Sequence, residues 1–293
     1  MILKLVEEHA SEAAEHAVEA VHGAKAAGAA SHGGSGVAEI LEHHILNSNT
    51  IEVPFIGEVH LPHIELFGID ISITKHVVMM WISSLVLIIL FAVAFRRKSA
   101  TPKGLAAMLE MMVQFVRDEI AIKNIGEEGR RYTSYLLTTF FFILACNLLG
   151  LIPYGATATA NIGVTTALAG MSFIMIQVSG MIKHGPIKHF KNLIPHGINP
   201  FLLPIMIPVE IMGMFTKPFA LCIRLFANMT AGHIVILCLL SLIFVLKTLI
   251  VAPASVAFAI FIYFLELLVA IIQAYIFTML TSLFIGMSVH PHH

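Results

Sequence analysis

Residues 204–247, PIMIPVEIMGMFTKPFALCIRLFANMTAGHIVILCLLSLIFVLK, form a long apolar stretch that nevertheless contains Arg224. At 1.5 Å per residue, a helix of this length is about 66 Å long, whereas the hydrocarbon core of a bilayer is about 30 Å thick. An arginine at mid-membrane costs roughly 2.5–3.5 kcal/mol, and its pKa above about 12 prevents it from losing its charge. The stretch therefore predicts an overlong membrane helix that keeps a permanent charge for a functional reason.

The composition of the whole chain predicts an integral membrane protein. Of its 293 residues, 58% are hydrophobic and only 12% are charged, whereas about 25% are charged in soluble domains. The net charge of −1 argues against a nucleic-acid partner. Cys146, Cys222 and Cys238 lie in apolar runs without CxxC spacing, which predicts free buried thiols rather than metal ligands or disulfides.

The first part of the chain differs from the rest. Residues 1–47 are rich in Ala, Glu, His and Gly and predict a polar extension, followed by a membrane domain over residues 48–293. The histidine spacing in the extension fits no single metal geometry, so a solvated segment is favoured over a metal site. There is no basic segment followed by an apolar one, as an ordinary signal peptide requires. Residues 50–73 are short pieces interrupted by Pro and Gly, which we expect at the membrane edge.

Charge and hydropathy predict how the chain crosses the membrane. The basic residues Arg96, Arg97 and Lys98 follow the first apolar segment, which places that end in the cytoplasm and the N-terminus outside. The segment Pro102–Ile122 has apolar residues at helical spacing and a polar opposite face, which predicts an amphipathic helix on the cytoplasmic surface. Three segments have the length of one span: His76–Phe95, Tyr135–Ile152 and Val164–Ile182.

The last two apolar segments are too long for straight helices aligned with the membrane normal, so these helices must be kinked or lie far more obliquely. Ala254–Met287 would form a helix of about 51 Å, and residues 204–247 an even longer one. The sequence VAPAS (251–255) between them contains proline and predicts a turn. We therefore expect an all-α membrane protein of about five spans and one amphipathic surface helix. Its last two helices form a strongly inclined hairpin, and its C-terminus is cytoplasmic.

Polar residues of the first long helix share one stripe. Glu210, Lys217 and Arg224 are seven residues apart and fall within about 40° of one another, because seven residues advance a helix by about −20°. Asn228 lies about 40° further round on the other side, whereas His233 lies about 180° from Arg224. One face of this apolar helix is therefore expected to carry most of its charge.

Folding the hairpin pairs these residues with polar residues of the final helix. Pairing Arg224 with Gln273 and His233 with Glu266 places both pairs at matched depths if the turn is near residue 249. Incidental polar residues satisfied inside a bundle would explain single members of this set. The matched depths favour proton transfer, because a histidine that titrates near about 6.5 and a buried carboxylate form a relay.

The motif KPFALCIRLFANMTAGH (217–233) resembles the signature of subunit a of the rotary F-type ATP synthase. The resemblance extends over about residues 60–290 and includes three further stretches: LEMMVQFVRDEI (109–120), NLLGLIPYGATATANIGVT (147–165) and LELLVAIIQAYIF (265–277). It implies a stator channel subunit of the bacterial inner membrane, not catalytic alone and without cofactor or metal. The implied partners are a rotor ring of small carboxylate-bearing hairpin subunits and the peripheral-stalk subunit b.

The resemblance also implies roles for individual residues. Arg224 matches the essential arginine that faces the rotor carboxylate. Asn228 and Gln273 match polar neighbours of that arginine. His233 and Glu266 match the pair that lines the inlet half-channel. A relay of this kind favours H⁺ over Na⁺.

Two further positions concern the two ends of the pathway. Glu210 matches a carboxylate of the outlet half-channel. Asn161 stands where some family members have an aspartate, so the resemblance leaves open whether it takes part in proton entry.

Two other classes of function compete with this one. A secondary transporter would favour internal repeats and paired Gly/Pro-broken helices, and the sequence has no such repeat. A membrane protease or haem enzyme would favour HExxH, GxSxG or a depth-matched pair of histidines, which the sequence lacks. Among the three, only the channel subunit predicts a stable complex with many copies of a carboxylate-bearing hairpin protein.

Overall fold

A computed structural model describes most of the chain from Thr50 onward. The extension predicted over residues 1–47 lies outside the described residues. Of the turn predicted at 251–255, residue 251 also lies outside them, whereas residues 252–255 are helical. This corrects the prediction, because proline is well tolerated in the first turn of a helix. The described ranges are 50–53, 57–60, 65–66, 69–70, 74–96, 103–152, 157–191, 203–246 and 252–290.

Helices account for nearly all of this part of the chain. Their bounds are α1 Lys75–Ala94, α2 Leu105–Phe115, α3 Lys123–Ile125, α4 Gly129–Gly150, α5 Ile162–His184, α6 Pro186–Lys191, α7 Leu203–Leu246 and α8 Ala252–Val289. Five of them, α1, α4, α5, α7 and α8, are long and apolar enough to cross a membrane. The predicted all-α class and the number of spans are confirmed.

The bounds of α4 differ from the predicted span in an informative way. The apolar pattern predicts a start at Tyr135, but α4 begins at Gly129. Hydropathy marks only the part of a helix that lipid surrounds, whereas a helix continues as long as its backbone bonds are satisfied. The polar residues at 129–134 therefore extend the helix beyond its apolar part.

Two small β-hairpins precede α1. Strand β1 (Thr50–Val53) pairs antiparallel with β2 (Gly57–His60), with Thr50 opposite His60. Strand β3 (Glu65–Leu66) pairs in the same way with β4 (Ile69–Asp70). The sequence does not predict these strands, because runs of two to four residues between Pro and Gly are too short to show a period.

The predicted amphipathic helix is present but is not regular. Helix α2 continues directly into a π-helical segment, Val116–Ile122. Leu109 and Ile120 are buried, whereas Arg117 and Asp118 are exposed and form an ion pair at 2.8 Å. The extra residue per π-helical turn shifts which residues face inward, and the hydrophobic pattern does not reveal it.

The described residues form two compact units. The first unit contains the chain up to Ser84, Ala145–Thr165 and Ile223–Ile272. The second unit contains Leu85–Leu144, Thr166–Cys222 and the chain from Gln273 onward. The division falls within all five long helices, so each of them contributes one part to each unit.

Contacts within each unit confirm that α7 and α8 run antiparallel. In the first unit His233 lies beside Glu266. In the second unit the Lys217 ammonium lies 5.1 Å from the centre of the Phe284 ring. The two helices have 44 and 38 residues, or about 66 and 57 Å at 1.5 Å per residue. Both lengths exceed a hydrocarbon core of about 30 Å, and the strong inclination of the hairpin stays a prediction.

The cysteines correct one prediction. None of the three cysteines forms a disulfide; Cys146 and Cys222 are buried as expected, but Cys238 is exposed. In a soluble protein an apolar sequence predicts burial, whereas on a membrane helix apolar residues are equally stable on the surface that faces lipid. Large apolar side chains are accordingly exposed on the long helices, for example Trp81, Met171 and Phe258.

Candidate functional site

A buried histidine–carboxylate pair lies at the centre of the polar residues in the first unit. His233 Nδ1 of α7 lies 2.5 Å from Glu266 Oε1 of α8. Glu266 is only 4% exposed, and His233 is half-buried. A charge at such a depth requires a partner, because burying it alone is costly. The structure therefore brings together the two residues that depth matching had paired.

Gly232 provides the space for this carboxylate. A Cβ atom at position 232 would lie 2.7 Å from Glu266 Oε1 and 2.9 Å from its carboxyl carbon. Such distances are below van der Waals contact, so any larger residue would displace the Glu266 side chain. The glycine immediately before His233 was not among the predicted site residues, although its position in the quoted motif is a usable signal.

Thr157 contacts the other side of the imidazole. Its Oγ1 lies 2.7 Å from His233 Nε2 and donates a hydrogen bond to the Gly150 carbonyl at 3.2 Å. His233 Nε2 is also 3.2 Å from that carbonyl oxygen. A Cβ atom at Gly150 would lie 2.7 Å from Thr157 Cβ, so the close approach requires glycine there. Thr157 comes just before α5 and was not predicted as a site residue.

His76 extends these contacts to α1. It is 3% exposed, and its Nδ1 lies 3.1 Å from the backbone carbonyl of Thr157. A histidine at the start of an apolar span is the signal that could have identified it. His76, Thr157, His233 and Glu266 are thus linked by three contacts, the first to the Thr157 backbone and the second to its side chain.

A second set of hydrogen bonds holds the C-terminal end of α4 against α8. The Asn147 side chain donates to the Ala270 carbonyl at 3.3 Å and accepts a bond from Thr159 at 2.7 Å. The Tyr263 hydroxyl donates to the Leu151 carbonyl at 2.9 Å. These bonds pair polar groups that burial would otherwise leave unsatisfied.

Arg224 also belongs to the first unit and is half-buried on α7. Among the described residues it has no hydrogen-bond or ion-pair partner. Asn228, one turn further along α7, is exposed. None of the residues that the structure describes neutralises the charge of Arg224.

The other predicted site residues lie in the second unit. Gln273 is buried on α8, and Glu210 is half-buried near the start of α7. Lys217 lies over the Phe284 ring, a cation–π contact that partly compensates the loss of water around its ammonium group.

Asn161 has a local structural role. Its Oδ1 accepts a hydrogen bond from the backbone N–H of Gly163 at 2.8 Å, directly before α5 begins at Ile162. This is the geometry of an N-cap residue, which satisfies one of the unpaired N–H groups at a helix start. Capping is a structural reason for an asparagine at this position.

Outside the membrane helices, ion pairs alter the pKa of two exposed carboxyl groups. A hydrogen bond from Arg117 lowers the pKa of Asp118, and one from Lys183 lowers the pKa of Glu128. Both carboxyl groups therefore remain ionised at neutral pH. In the part of the chain that the structure describes, no group of three or more His, Cys, Asp or Glu residues could hold a metal ion.

Comparison with known proteins agrees with this architecture. The family model described as "ATP synthase A chain" matches residues 77–286. The chain is 54% identical to ATP synthase subunit a of Chloroherpeton thalassium over 257 residues, covering 86% of this chain and 77% of that protein. It is 50% identical to ATP synthase subunit a 2 of Chlorobaculum tepidum over 91% of this chain and 77% of that protein. From these matches and the five membrane helices, the chain belongs to the ATP synthase A chain family.

Proposed function

We propose that this chain is the stator proton-channel subunit of a rotary ATP synthase and couples proton flow to rotation of a ring and to ATP synthesis. Its relatives carry the name ATP synthase subunit a, which supports membership of such a complex. The chain is not catalytic alone. Its partners are a rotor ring of small hairpin subunits, each with a membrane carboxylate, and the peripheral-stalk subunit b.

The single observation that carries the proposal is that the described residues provide Arg224 with no hydrogen-bond or ion-pair partner. Arg224 is half-buried on an apolar helix, and no described residue of this chain neutralises it. A guanidinium in such a place requires a counter-charge, because it cannot lose its proton. A carboxylate on a neighbouring subunit in the membrane supplies that charge.

The charge of Arg224 also explains how rotation is coupled to proton flow. A rotor carboxylate faces lipid only when it is protonated, since burial of its charge is costly. Opposite Arg224 it ionises, because a nearby positive charge favours the carboxylate form. The guanidinium neither accepts nor releases a proton, so it separates the inlet from the outlet half-channel.

The remaining residues form the two half-channels. Protons enter through Glu266 and His233, whose side chains lie within hydrogen-bond distance. Asn228 and Gln273 match polar neighbours of the essential arginine, and Glu210 belongs to the outlet. Each charge that crosses 100 mV supplies about 2.3 kcal/mol, which biases the direction of rotation. The histidine–carboxylate pair favours H⁺ as the transported ion.

The complex lies in the bacterial inner membrane, with the N-terminus of this chain outside and its C-terminus in the cytoplasm. The basic residues after α1 and the five membrane helices support this orientation. Helix α2 and its π-helical continuation then lie at the cytoplasmic surface.

Replacement of Arg224 tests the proposal. The purified complex carrying Arg224→Lys is reconstituted into vesicles, and ATP synthesis driven by a proton gradient is measured. We expect synthesis to fall to background, because lysine is a compact ammonium that can lose its proton when buried. Arg130→Lys is the matched control, since Arg130 is exposed and pairs only with Glu127 in the described part of the chain.

Arg224→Ala separates coupling from sealing. We expect it to abolish synthesis and also to raise the passive proton conductance of the membrane sector. Substantial synthesis by Arg224→Lys would contradict the need for a permanent charge. Unchanged conductance in a fully assembled Arg224→Ala complex would show that Arg224 does not separate the half-channels.

A further inference from the structure

The contacts of His233 Nε2 favour a hydrogen on this ring nitrogen. The Gly150 carbonyl oxygen, 3.2 Å away, can only accept a hydrogen bond. Thr157 Oγ1 uses its own hydrogen for the same carbonyl, so it accepts from Nε2 at 2.7 Å. Nε2 therefore carries a hydrogen, and it is held by two acceptors.

The opposite nitrogen consequently faces the carboxyl group. In the neutral imidazole only one nitrogen is protonated, so Nδ1 has a lone pair directed at Glu266 Oε1, 2.5 Å away. One proton lies between these two atoms, either on the carboxyl group or on the ring.

We propose that Thr157 is a positioning residue that holds His233 in the Nε2–H tautomer, and that His76 in turn holds Thr157 in place. The inference rests on the proposed function, because it concerns the same His233–Glu266 relay. It adds His76 of α1 and Thr157, which lies in the segment before α5, to the residues that support proton transfer.

The proton transfer that this arrangement supports involves one bond at each end. The Oε1–H bond of Glu266 breaks as the Nδ1–H bond of His233 forms, so the carboxyl group becomes a carboxylate and the ring becomes an imidazolium. Glu266 Oε2 is buried and has no hydrogen-bond partner among the described residues, so it can accept the next proton. The Nε2–H bond does not change during this step.

The position of Thr157 depends on two supports. The His76 ring donates from Nδ1 to the Thr157 carbonyl at 3.1 Å, and this bond ties the extended backbone at Thr157 to α1. Gly150 lets the threonine side chain approach, since a Cβ there would collide with it. Thr157 itself is only 2% exposed, so water does not replace its hydroxyl group.

Valine and serine at position 157 separate the hydroxyl group from the volume of the side chain. Thr157→Val keeps the shape and removes the acceptor, whereas Thr157→Ser keeps the acceptor. Thr278→Val is the matched control, because the Thr278 hydroxyl is also buried but donates only to the Ala274 carbonyl of its own helix.

The measurement is proton-driven ATP synthesis per assembled complex in vesicles, in H₂O and in D₂O. For Thr157→Val we expect the maximal rate to fall by roughly 5- to 20-fold, the scale of one lost buried hydrogen bond, with the KM for ADP unchanged. We expect the ratio of the rates in H₂O and D₂O to rise, because proton transfer becomes rate-limiting. Thr157→Ser should restore both values.

His76→Leu provides a second test through the anchor. This substitution removes the hydrogen bond to the Thr157 carbonyl but leaves the Thr157 hydroxyl group present. We expect a smaller loss of roughly 2- to 5-fold, with the same rise in the isotope ratio. If Thr157→Val does not assemble, a wild-type rate and isotope ratio in His76→Leu overturns the inference.

Glu266→Gln, measured in parallel, separates this inference from the proposed function. If Glu266→Gln retains full turnover, the relay itself is wrong. If Glu266→Gln slows synthesis while Thr157→Val retains the wild-type rate and isotope ratio, the relay stands and only the role of Thr157 is overturned.

Discussion

Among the described residues, two charged pairs join segments that are distant in sequence, and the two pairs differ in burial. His233 and Glu266 pair in the first unit, where the Glu266 side chain is 3% exposed. Lys183 and Glu128 pair in the second unit, where both side chains are about 40% exposed, at 39% and 43%. The two ion pairs are contacts of the same type, but they lie in different surroundings, one buried and one exposed to water.

The difference lies in what the surroundings can do with a charge. Water screens an exposed ion pair, so the pair contributes little net stability. A change in the protonation of its members is therefore not expected to affect transport. A buried carboxyl group has no such alternative, because it must share a proton with its partner or bear the full cost of an isolated charge. Burial thus makes the protonation of Glu266, and not that of Glu128, a candidate step in transport.

The sharpest test of this comparison is removal of each carboxylate by the same substitution. We expect Glu266→Gln to slow proton-driven ATP synthesis at least roughly tenfold, since proton-transfer groups commonly contribute about 10²- to 10⁴-fold. We expect Glu128→Gln to retain the wild-type rate. The measurement is synthesis at a saturating proton-motive force, normalised to assembled complex.

Equal rates for the two variants would remove the basis of the comparison. Normal turnover in Glu266→Gln would exclude Glu266 from the pathway. A comparable loss in Glu128→Gln would show that an exposed pair also contributes to transport.

A smaller effect is expected from the glycine that makes room for the buried pair. In Gly232→Ala the new Cβ would lie 2.7 Å from Glu266 Oε1, so the carboxyl group must move away from His233. We expect a severalfold loss of synthesis and a destabilisation of about 1–3 kcal/mol, typical of overpacking.

Gly213→Ala is the control on the same helix, since no atom lies within 4 Å of its added Cβ. It should retain activity and unfold at the same or a slightly higher temperature, because alanine is the better helix former. Similar behaviour of the two alanine variants in synthesis and thermal unfolding would show that the relay tolerates movement of Glu266.

The smallest effect is expected at the exposed pair. Lys183 lowers the pKa of Glu128, so its stabilisation is present above the ordinary carboxyl pKa and is lost as the pH falls through the lowered value. In Lys183→Gln the pKa of Glu128 should return upward toward its ordinary value.

Thermal unfolding of the purified complex at about pH 7 and about pH 4 measures this contribution. We expect a decrease in Tm at neutral pH that barely exceeds replicate scatter, and a still smaller difference at acid pH. A large decrease at neutral pH would mean that the Lys183–Glu128 pair behaves as a buried one.

Several parts of the fold could be predicted from particular residues. Apolar length predicts the five membrane helices, and the polar positions of α7 and α8 predict that His233 lies opposite Glu266. The same reasoning failed for Cys238, because hydropathy cannot distinguish a helix face toward lipid from one toward protein. It also failed for the π-helical segment Val116–Ile122, whose extra residue leaves no mark in the apolar pattern.

The sequence by itself determined the class of this protein, its membrane helices and the polar residues of its hairpin, because each follows from length, charge and helical period along one segment. Only the tertiary structure decided that Thr157 and His76 belong with that hairpin. Thr157 lies 76 residues from His233 and 81 from His76, and no local rule relates such positions. Their contacts form only when α1, the end of α4 and α7 pack together, since hydrogen bonds between buried groups depend on distances that close packing alone establishes.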